Sequence, residues 1–532
     1  IESILVLLDR ESIKIKLGNV PAKIIQRVSA SACLKKLEKS CILDQDKRKL
    51  EIEEMIMLAQ KKLGLDEYID KNLLEETNFL VKSPVLLTGD FDKKYLAIPR
   101  DVLAASMSKH QRIFTLSKDN KLVNKFIAII DGKGRDTAKM KRVYGNILEA
   151  RLKDSLFFYN EDIKRPLSDK SPELKNLIFQ KDLGNMFEKI QRLEGISSFI
   201  SEMLNIGAAK KEDIKRAAYL SKSDLVTHMV GEFPSLQGAM GMEYAIKSGE
   251  KESVAIAIKE HYLPKGLDDN LPETIEGAIL AISDRMDNIV GLIGSGIEPK
   301  GSFDPFGIRR NSQGLIQIIK DKGFRIDLAV LIDKVIELYC RGQACLSPTF
   351  KLPPEDLKKK VINYMKERLE FLTPDTRPME LKLAVLKSGC NDIVGVFKRV
   401  EALSNISEEK YFLKAAKVCE RTSNILKGAK GEKIGAVNEG LLKEDLEKEA
   451  WKAYKDNAQA ITELIKKEKY QEATRAYGET FFKPLHDFFD KVMVNTEDAA
   501  LRQNRLAMMQ AINKLYTNDV ADLAILPQIV VG

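Results

Sequence analysis

One stretch of the chain carries the residue types that could do hydrolytic chemistry. His228 and Glu232 stand four residues apart, so a helix would carry both on one face, a spacing that can chelate a metal. His261 follows in Lys259-Glu260-His261-Tyr262-Leu263-Pro264, and Asp284 and Asp287 lie close together on a later apolar helix. Imidazoles and carboxylates from separate helices would suit metal-assisted phosphoester hydrolysis. The opposing reading makes His261 a helix-end residue and the aspartates caps or ion-pair partners. We take the opposing reading and expect no metal, because isolated His and Asp on helices are usually structural. The only adjacent His-Asp pair, His486-Asp487, falls in another domain. With 4 histidines in 532 residues, histidine-rich metal chemistry spread over several domains is excluded.

Cationic side chains form a second group of candidates. Arg309 and Arg310 follow Gly301-Ser302-Phe303-Asp304-Pro305-Phe306-Gly307-Ile308. An Asp-Pro turn there could aim two guanidinium groups at phosphates, or could simply cap a helix whose arginines pair with carboxylates. The helix expected over 499–516 places Leu501, Met508, Ile512 and Leu515 on one face, with Arg505 at its edge and Arg502 beside it. Arg505 either faces RNA or is half buried against Asp490. Lys358-Lys359-Lys360 reads as a solvated helix face. Gly132-Lys133-Gly134-Arg135 lacks the third glycine of a dinucleotide loop and the Lys-Ser/Thr of a P-loop, so it reads as a surface turn. No spacing supports a Ser/His/Asp or Cys/His nucleophile.

The elements that must position these residues are mostly helical. Alternation in Ser12–Leu17 predicts a strand. Val85–Leu87 and Tyr95–Ile98 around Gly89-Asp90-Phe91-Asp92 predict one hairpin, and Arg112–Leu116 and Leu122–Ile130 around Ser117–Asn120 another. A charged helix is expected over 35–63. Helical spacing then dominates 137–160, 170–205, 212–230, 252–262 and 274–293, and again from about 380 to 516. Ile275, Ile279, Ile282, Met286, Ile289 and Ile293 form one apolar stripe. Breaks come at 291–310, at Pro348, Pro353 and Pro354, and at Pro374 and Pro378. The length predicts several domains. Apolar residues at 44% suffice for packed cores and exclude a disordered chain. The formal charge of +8 is mild and excludes a polybasic protein, while leaving room for one basic face. Six cysteines without a C-x-x-C pair read as reduced thiols of a cytoplasmic protein. No apolar run approaches the ~20 residues of a membrane span, so no membrane partner is expected.

Several segments then converge on one family. Gly145-Asn146-Ile147-Leu148-Glu149-Ala150-Arg151-Leu152-Lys153-Asp154, running into Phe157–Asp162, resembles the bacterial-type glycyl-tRNA synthetase β subunit. So do Lys222–Gly241, Glu260–Pro264, Leu271–Thr274, Ala281–Asp287, and the Gly301-Ser302, Asp304-Pro305-Phe306 and Arg309-Arg310 cluster. Phe488–Val494 and Leu501–Leu506 look like the family's last helices. The resemblance implies a mainly α, multidomain chain. Residues 1–136 would be an α+β region, a remnant of the B3/4 tRNA-editing module. Residues 137–345 would be an all-helical domain related to HD phosphohydrolases, 346–385 a connector, and 386–532 a helical anticodon-binding domain.

In that family the β subunit holds glycine tRNA, and the α subunit uses ATP and Mg2+ for the adenylate chemistry, in an α2β2 assembly or a fused chain. The resemblance therefore implies no cofactor on this chain and no catalytic residue. It implies tRNA contacts at Arg421, Asn424, Arg502 and Arg505, with Arg309, Arg310 and Arg151 as further candidates. Three departures stand out. The chain opens on Ile1 without the family's Gly-Thr-Glu-Glu-Leu-Pro start, so an incomplete N-terminus is expected. The family's Gly-His-Arg-Phe stretch is missing around Gly18–Pro21. Cys419-Glu420-Arg421-Thr422 stands where the family tends to Asn-Lys-Arg, removing one basic contact. The rivals are an active metal-dependent HD phosphohydrolase and a non-catalytic helical scaffold.

Overall fold

The computed structural model describes residue 38 and residues 41–132, 136–299, 303–341, 350–429 and 432–526. The chain divides into two packed units, residues 1–164 with 227–236, and residues 165–226 with 237–532.

Among the described residues, the first helix of this unit is α1 (Gln45–Leu63). Asp44 accepts the backbone N–H of Asp46 and Lys47 at 2.9 and 3.0 Å, which satisfies orphan donors of the first turn. The helix stops at Gly64, whose φ of 66° a side chain would resist. Of the helix expected over 35–63, the part from 45 onward is seen with its own cap, and most of 35–40 lies outside the described residues. Next come α2 (Lys71–Leu80), β1 (Pro84–Asp90), α3 (Arg100–Gln111), β2 (Ile113–Lys118) and β3 (Lys121–Asp131). The antiparallel sheet has the order β1-β3-β2. The β2–β3 hairpin falls where the sequence placed it, turning through Asp119 and Asn120 at φ of 50° and 63°.

The other expected hairpin does not form. Asp92 accepts the N–H of Lys94, and Lys93–Ala97 becomes a 3-10 turn in place of a strand, so β1 pairs with β3 instead. The strand expected over Ser12–Leu17 lies outside the described residues, as does most of Gly132–Arg135. Ile52, Ile56, Leu73 and Leu74 pack on Phe114, Leu116, Ile127 and Ile129 as this unit's core.

The long helix α4 (Thr137–Asp162) also belongs to the first unit. Its Ser155 hydroxyl lies 2.8 Å from Ser106 on α3. Its last residue, Asp162, accepts the N–H groups of His228 and Met229 at 2.9 Å each, which ties in the short helix His228–Glu232. The division by packing thus falls at 164, one helix beyond residue 136.

The second unit is helical. After a two-stranded ladder, β4 (Ile178–Gln180) with β5 (Gly184–Asn185), come α5 (Met186–Met203), α6 (Ala208–Leu220), α7 (Ala239–Lys247), α8 (Glu252–Glu260) and α9 (Ile275–Gly294). The helical run expected over 170–205 is interrupted because Pro172 heads a 3-10 turn and Gly184 adopts φ of 84°. Asn185 and Glu188 then restart the helix with a capping box. Beyond α9 lie α10 (Ile308–Lys322), α11 (Leu328–Arg341), α12 (Pro354–Leu372), α13 (Glu380–Lys387), α14 (Ile393–Ser404), α15 (Lys410–Lys427), α16 (Asp445–Lys466), α17 (Tyr470–Lys491) and α18 (Ala499–Thr517). Among the described residues, one apolar core includes residues from Leu183 to Leu523, and the helices on either side of residue 385 contribute to it.

The helix α9 does not present one stripe to a core. All of its residues except Ile275 and Asn288 are buried, and its ionic residues are buried with them. Among the described residues, no helix is long and apolar enough to cross a membrane.

Helices α15 and α17 meet at Gly478, where an added Cβ would overlap the Tyr411 carbonyl oxygen and lie 2.9 Å from the Ala415 nitrogen. Gly478→Ala is expected to cost about 1–3 kcal/mol through overpacking. Gly145→Ala, in α4 with nothing within 4 Å, should instead gain roughly 0.5–1 kcal/mol through helix propensity. Thermal denaturation of the two variants reads these opposite signs.

Candidate functional site

Charges inside α9 need partners, because an unpaired buried charge costs several kcal/mol (on the order of 3–5 when one partner of a pair is removed). Asp287 is fully buried and receives Arg192 Nε at 2.6 Å and Lys189 Nζ at 2.7 Å, both from α5. Lys189 also donates to Asn288 Oδ1 at 2.8 Å. Asp284 Oδ2 accepts from Lys222 Nζ at 2.9 Å, while Oδ1 faces Lys189 Nζ at 2.9 Å as an ion pair without hydrogen-bond geometry. Burial alone would raise the Asp284 carboxyl. The two ammonium groups outweigh burial and hold it well below the usual carboxylate range. Asp287 is lowered in the same way, by Arg192 and Lys189 against burial.

Lys222 joins this carboxylate to an imidazole. His261, at the end of α8 and fully buried, places Nδ1 2.6 Å from the Ile258 carbonyl oxygen and Nε2 2.8 Å from Lys222 Nζ. A carbonyl can only accept, so Nδ1 carries the proton and the Nε2 lone pair accepts from the ammonium. Burial, reinforced by the charge of Lys222, pushes His261 well below its ordinary 6.5 and keeps it neutral. The ammonium of Lys222 also sits 4.1 Å from the centre of the Tyr262 ring, while that of Lys189 sits 4.4 Å from the centre of Phe179. Nearby Asp224 is buried and accepts the N–H groups of Gly238 and Gly241 at 2.6 and 3.1 Å; burial lifts its carboxyl to about 6.

These donors do not suit a divalent metal ion. Both oxygens of Asp284 face ammonium groups, Asp287 is taken by Arg192 and Lys189, and the lone pair of His261 is taken by Lys222. His228 and Glu232 belong to the first unit, where His228 stacks on Phe158 and Glu232 lies 3.6 Å from Arg151. Among the described residues, no group of three His, Cys, Asp or Glu is placed to hold a metal ion. Lys189, Lys222 and Arg192 went unnoticed as sequence candidates. The one available signal was Leu220-Ser221-Lys222-Ser223-Asp224, where a lysine sits among small residues in a poor place for a solvated charge.

A cavity of about 440 Å³ opens beside this cluster, and Arg310 lines it. The turn before α10 works as a cap, since Asp304 accepts the N–H groups of Ile308 and Arg309 at 2.9 Å each. Arg310 is exposed on the cavity wall and Arg309 is half-buried, so the two arginines are not aimed together.

The C-terminal candidates separate into exposed and buried groups. Arg421 on α15 donates to His486 Nδ1 on α17 at 2.9 Å, and His486 stacks on Phe482. Asn424 is exposed one turn beyond Arg421 and accepts from Lys427. Arg502 forms a two-pronged pair with Glu432 at 2.8 and 2.9 Å. Glu420, where a basic residue was expected, pairs with Lys417 at 2.8 Å. Arg505 corrects the expectation made for it. It is buried, pairs with the fully buried Glu447, and donates to the Met493 carbonyl oxygen at 2.6 Å. It therefore offers no guanidinium to RNA, and Asp490 faces His486 rather than Arg505. Phe482 was passed over in the sequence and His486 was weighed only as part of a His-Asp pair, although their spacing of four on one helix was visible there.

Comparison with known proteins adds to this geometry. A family model described as glycyl-tRNA synthetase beta subunit matches residues 1–387, and one described as DALR anticodon binding domain matches residues 416–525. The chain is 38% identical over 480 residues to the glycine–tRNA ligase beta subunit of Clostridioides difficile (strain 630), covering 90% of this chain and 68% of the relative. It is 36% identical over 492 residues to that of Myxococcus xanthus (strain DK1622), covering 92% and 69%. With that of Trichlorobacter lovleyi it is 34% identical over 483 residues, covering 90% and 68%.

Two outcomes follow from the buried groups. Because native His261 binds its proton far more weakly than the unfolded chain, stability drains away as pH falls below 6.5. Wild type should lose stability relative to His261→Gln as pH falls below 6.5, with a slope that rises toward about 1.4 kcal/mol per pH unit, read by thermal melts. Arg505→Ala should cost about 3–5 kcal/mol by stranding Glu447, read by denaturant unfolding.

Proposed function

The chain belongs to the glycyl-tRNA synthetase β-subunit family, and we propose that it is the subunit that holds glycine tRNA for a ligase whose adenylate chemistry resides on an α subunit. The observation that carries this reading is the exposed face of α15 and α17 within the segment matched by the anticodon-binding model. There Arg421, His486 and Phe482 set a guanidinium and two stacked rings side by side, with Asn424 one turn beyond. Unstacked anticodon bases are read by such combinations, rings and guanidinium planes taking base faces while amides and guanidinium N–H groups take base edges. Arg502 contributes at the side of this face once it exchanges Glu432 for phosphate. Phosphate contacts supply the bulk of the affinity and make it fall with salt.

Holding the anticodon end fixes the acceptor arm relative to the partner. The 3′ end is thereby delivered to the α subunit, where ATP and Mg2+ are consumed, and the attack on the glycyl adenylate becomes effectively intramolecular. Arg309 and Arg310 in the second unit, and Arg151 in the first, would be further RNA contacts. The assembly is α2β2 or its fused equivalent, working in the cytoplasm, and this chain binds no cofactor of its own for that reaction. Hydrolysis by the helical domain is disfavoured, because Lys222 and Lys189 occupy the carboxylate and imidazole lone pairs a metal would need.

A filter-binding titration with glycine tRNA across salt concentrations tests the reading. Wild type should bind saturably, and Arg421→Ala should weaken binding, lower the salt slope by about one and leave the melting temperature unchanged. Absence of saturable binding, or equal affinity for wild type and Arg421→Ala, would remove its basis.

A further inference from the structure

The cavity beside the buried cluster is lined by Lys189, Lys222, Lys265, Arg285 and Arg310 against a single carboxylate, Asp284. Two of these cations are already committed to Asp284, but the rest are not. Arg285 directs its donors to the carbonyl oxygens of His261, Ala281 and Pro264 at 3.0 Å each, so hydrogen bonds to neutral groups hold it, with Asp284 as the carboxylate that acts on its charge. Neither Arg310 nor Lys265 forms a side-chain ion pair with a described residue. The walls add aromatic surface from Phe179, Tyr262 and Phe306, the last of them 48% exposed. A volume of about 440 Å³ suits a ligand of nucleotide size, within the usual ~300–1,000 Å³ of small-molecule sites. A larger cavity of about 530 Å³ elsewhere carries Asp375, Glu408 and Glu409 against one Arg377, a charge balance that repels phosphate.

The floor of the first cavity has a specific chemistry. His261 offers Nε2 and Asp284 offers Oδ2, the imidazole and carboxylate donors that a divalent ion would use, and the Nδ1–H of His261 is anchored on a carbonyl as in a metal-ligating histidine. Both lone pairs converge on the ammonium of Lys222 at 2.8 and 2.9 Å, which are hydrogen-bond lengths. A tethered ammonium supplies positive charge at that point. It has no open coordination position and cannot turn a bound water into hydroxide as a metal does.

We propose that this cavity binds a nucleotide through its phosphate, with Lys222 in the place of a metal ion, and holds it without hydrolysing it. Arg310 and Lys265 at the rim and Lys222 on the floor take the phosphate, and Phe306, the exposed ring of the wall, takes the base by stacking. The same chemistry fits a free mononucleotide and the 3′-terminal nucleotide of an RNA. The proposal is independent of the anticodon-face reading, since no residue is shared with α15 or α17.

The test titrates AMP into the full chain by calorimetry in the presence of EDTA. Saturable one-to-one binding, weakened about tenfold or more by Arg310→Ala with an unchanged melting temperature, is expected. No phosphate or adenosine should be released on prolonged incubation. Two tRNA transcripts, one complete and one lacking its 3′-terminal nucleotide, then compete against AMP. Displacement by the complete transcript alone assigns the site to an RNA end, and displacement by neither assigns it to free nucleotide. The proposal is overturned by absence of saturable AMP binding, by equal affinity in Arg310→Ala, by a requirement for divalent metal, or by phosphate release.

Discussion

Asp284 and Asp287 are carboxylates inside the most thoroughly buried helix of the second unit, and that constraint organises what surrounds them. Neither could remain ionised there without cations at hydrogen-bond distance, so α5 must bring Lys189 and Arg192 to α9, and the turn after α6 must bring Lys222. The same requirement fixes the end of α8, because Lys222 reaches Asp284 only alongside His261. Glu260 then accepts the N–H groups of Glu273 and Thr274 at 2.9 and 3.1 Å, joining the end of α8 to the start of α9. Hydrogen bonds between buried charges rigidify a core, and here Asp284 Oδ1, held by Lys189 as an ion pair alone, is the one oxygen of the two aspartates left without one. The apolar core built around α9 continues without a break into the C-terminal helices, so these charges help hold the body that carries the anticodon-binding segment.

A second buried pair does similar work at the C-terminal end. Arg505 and Glu447 join α18 to α16, and Asn504 bridges to the backbone of Asn438 in both directions, at 2.7 and 3.0 Å. Cations that lock helices together are thereby separated from cations left at the surface. Arg421 and Arg502 have solvent-accessible partners that an incoming phosphate can replace, while Arg505 cannot leave Glu447 without stranding a buried charge.

How much was legible in the sequence follows from which signals are local. The Ser117–Asn120 hairpin and the helical character beyond residue 137 are local patterns and both appear in the structure, whereas α9 forms as a helix but is buried on nearly every side rather than along one stripe. The Tyr95–Ile98 strand was misread because one Asp92 cap outcompetes alternation over four residues. Asp284 and His261 were visible as an unusual pair, but their partners were not. Lysines on helices are ordinarily solvated, and a spatial neighbour 62 positions away, as Lys222 is to Asp284, leaves no mark in spacing. Arg505 shows the converse failure, since a guanidinium at the edge of an apolar stripe looks the same whether it faces RNA or a buried glutamate.

On the proposed reading, this chain grips and positions RNA while the chemistry of its reaction lies on the α subunit. Aminoacylation of glycine tRNA, measured with this chain alone, with a family α subunit alone, and with both, addresses that claim most directly. Charging should require both, with the chain alone giving none. Glycyl-tRNA formed by this chain in the absence of α would contradict the account.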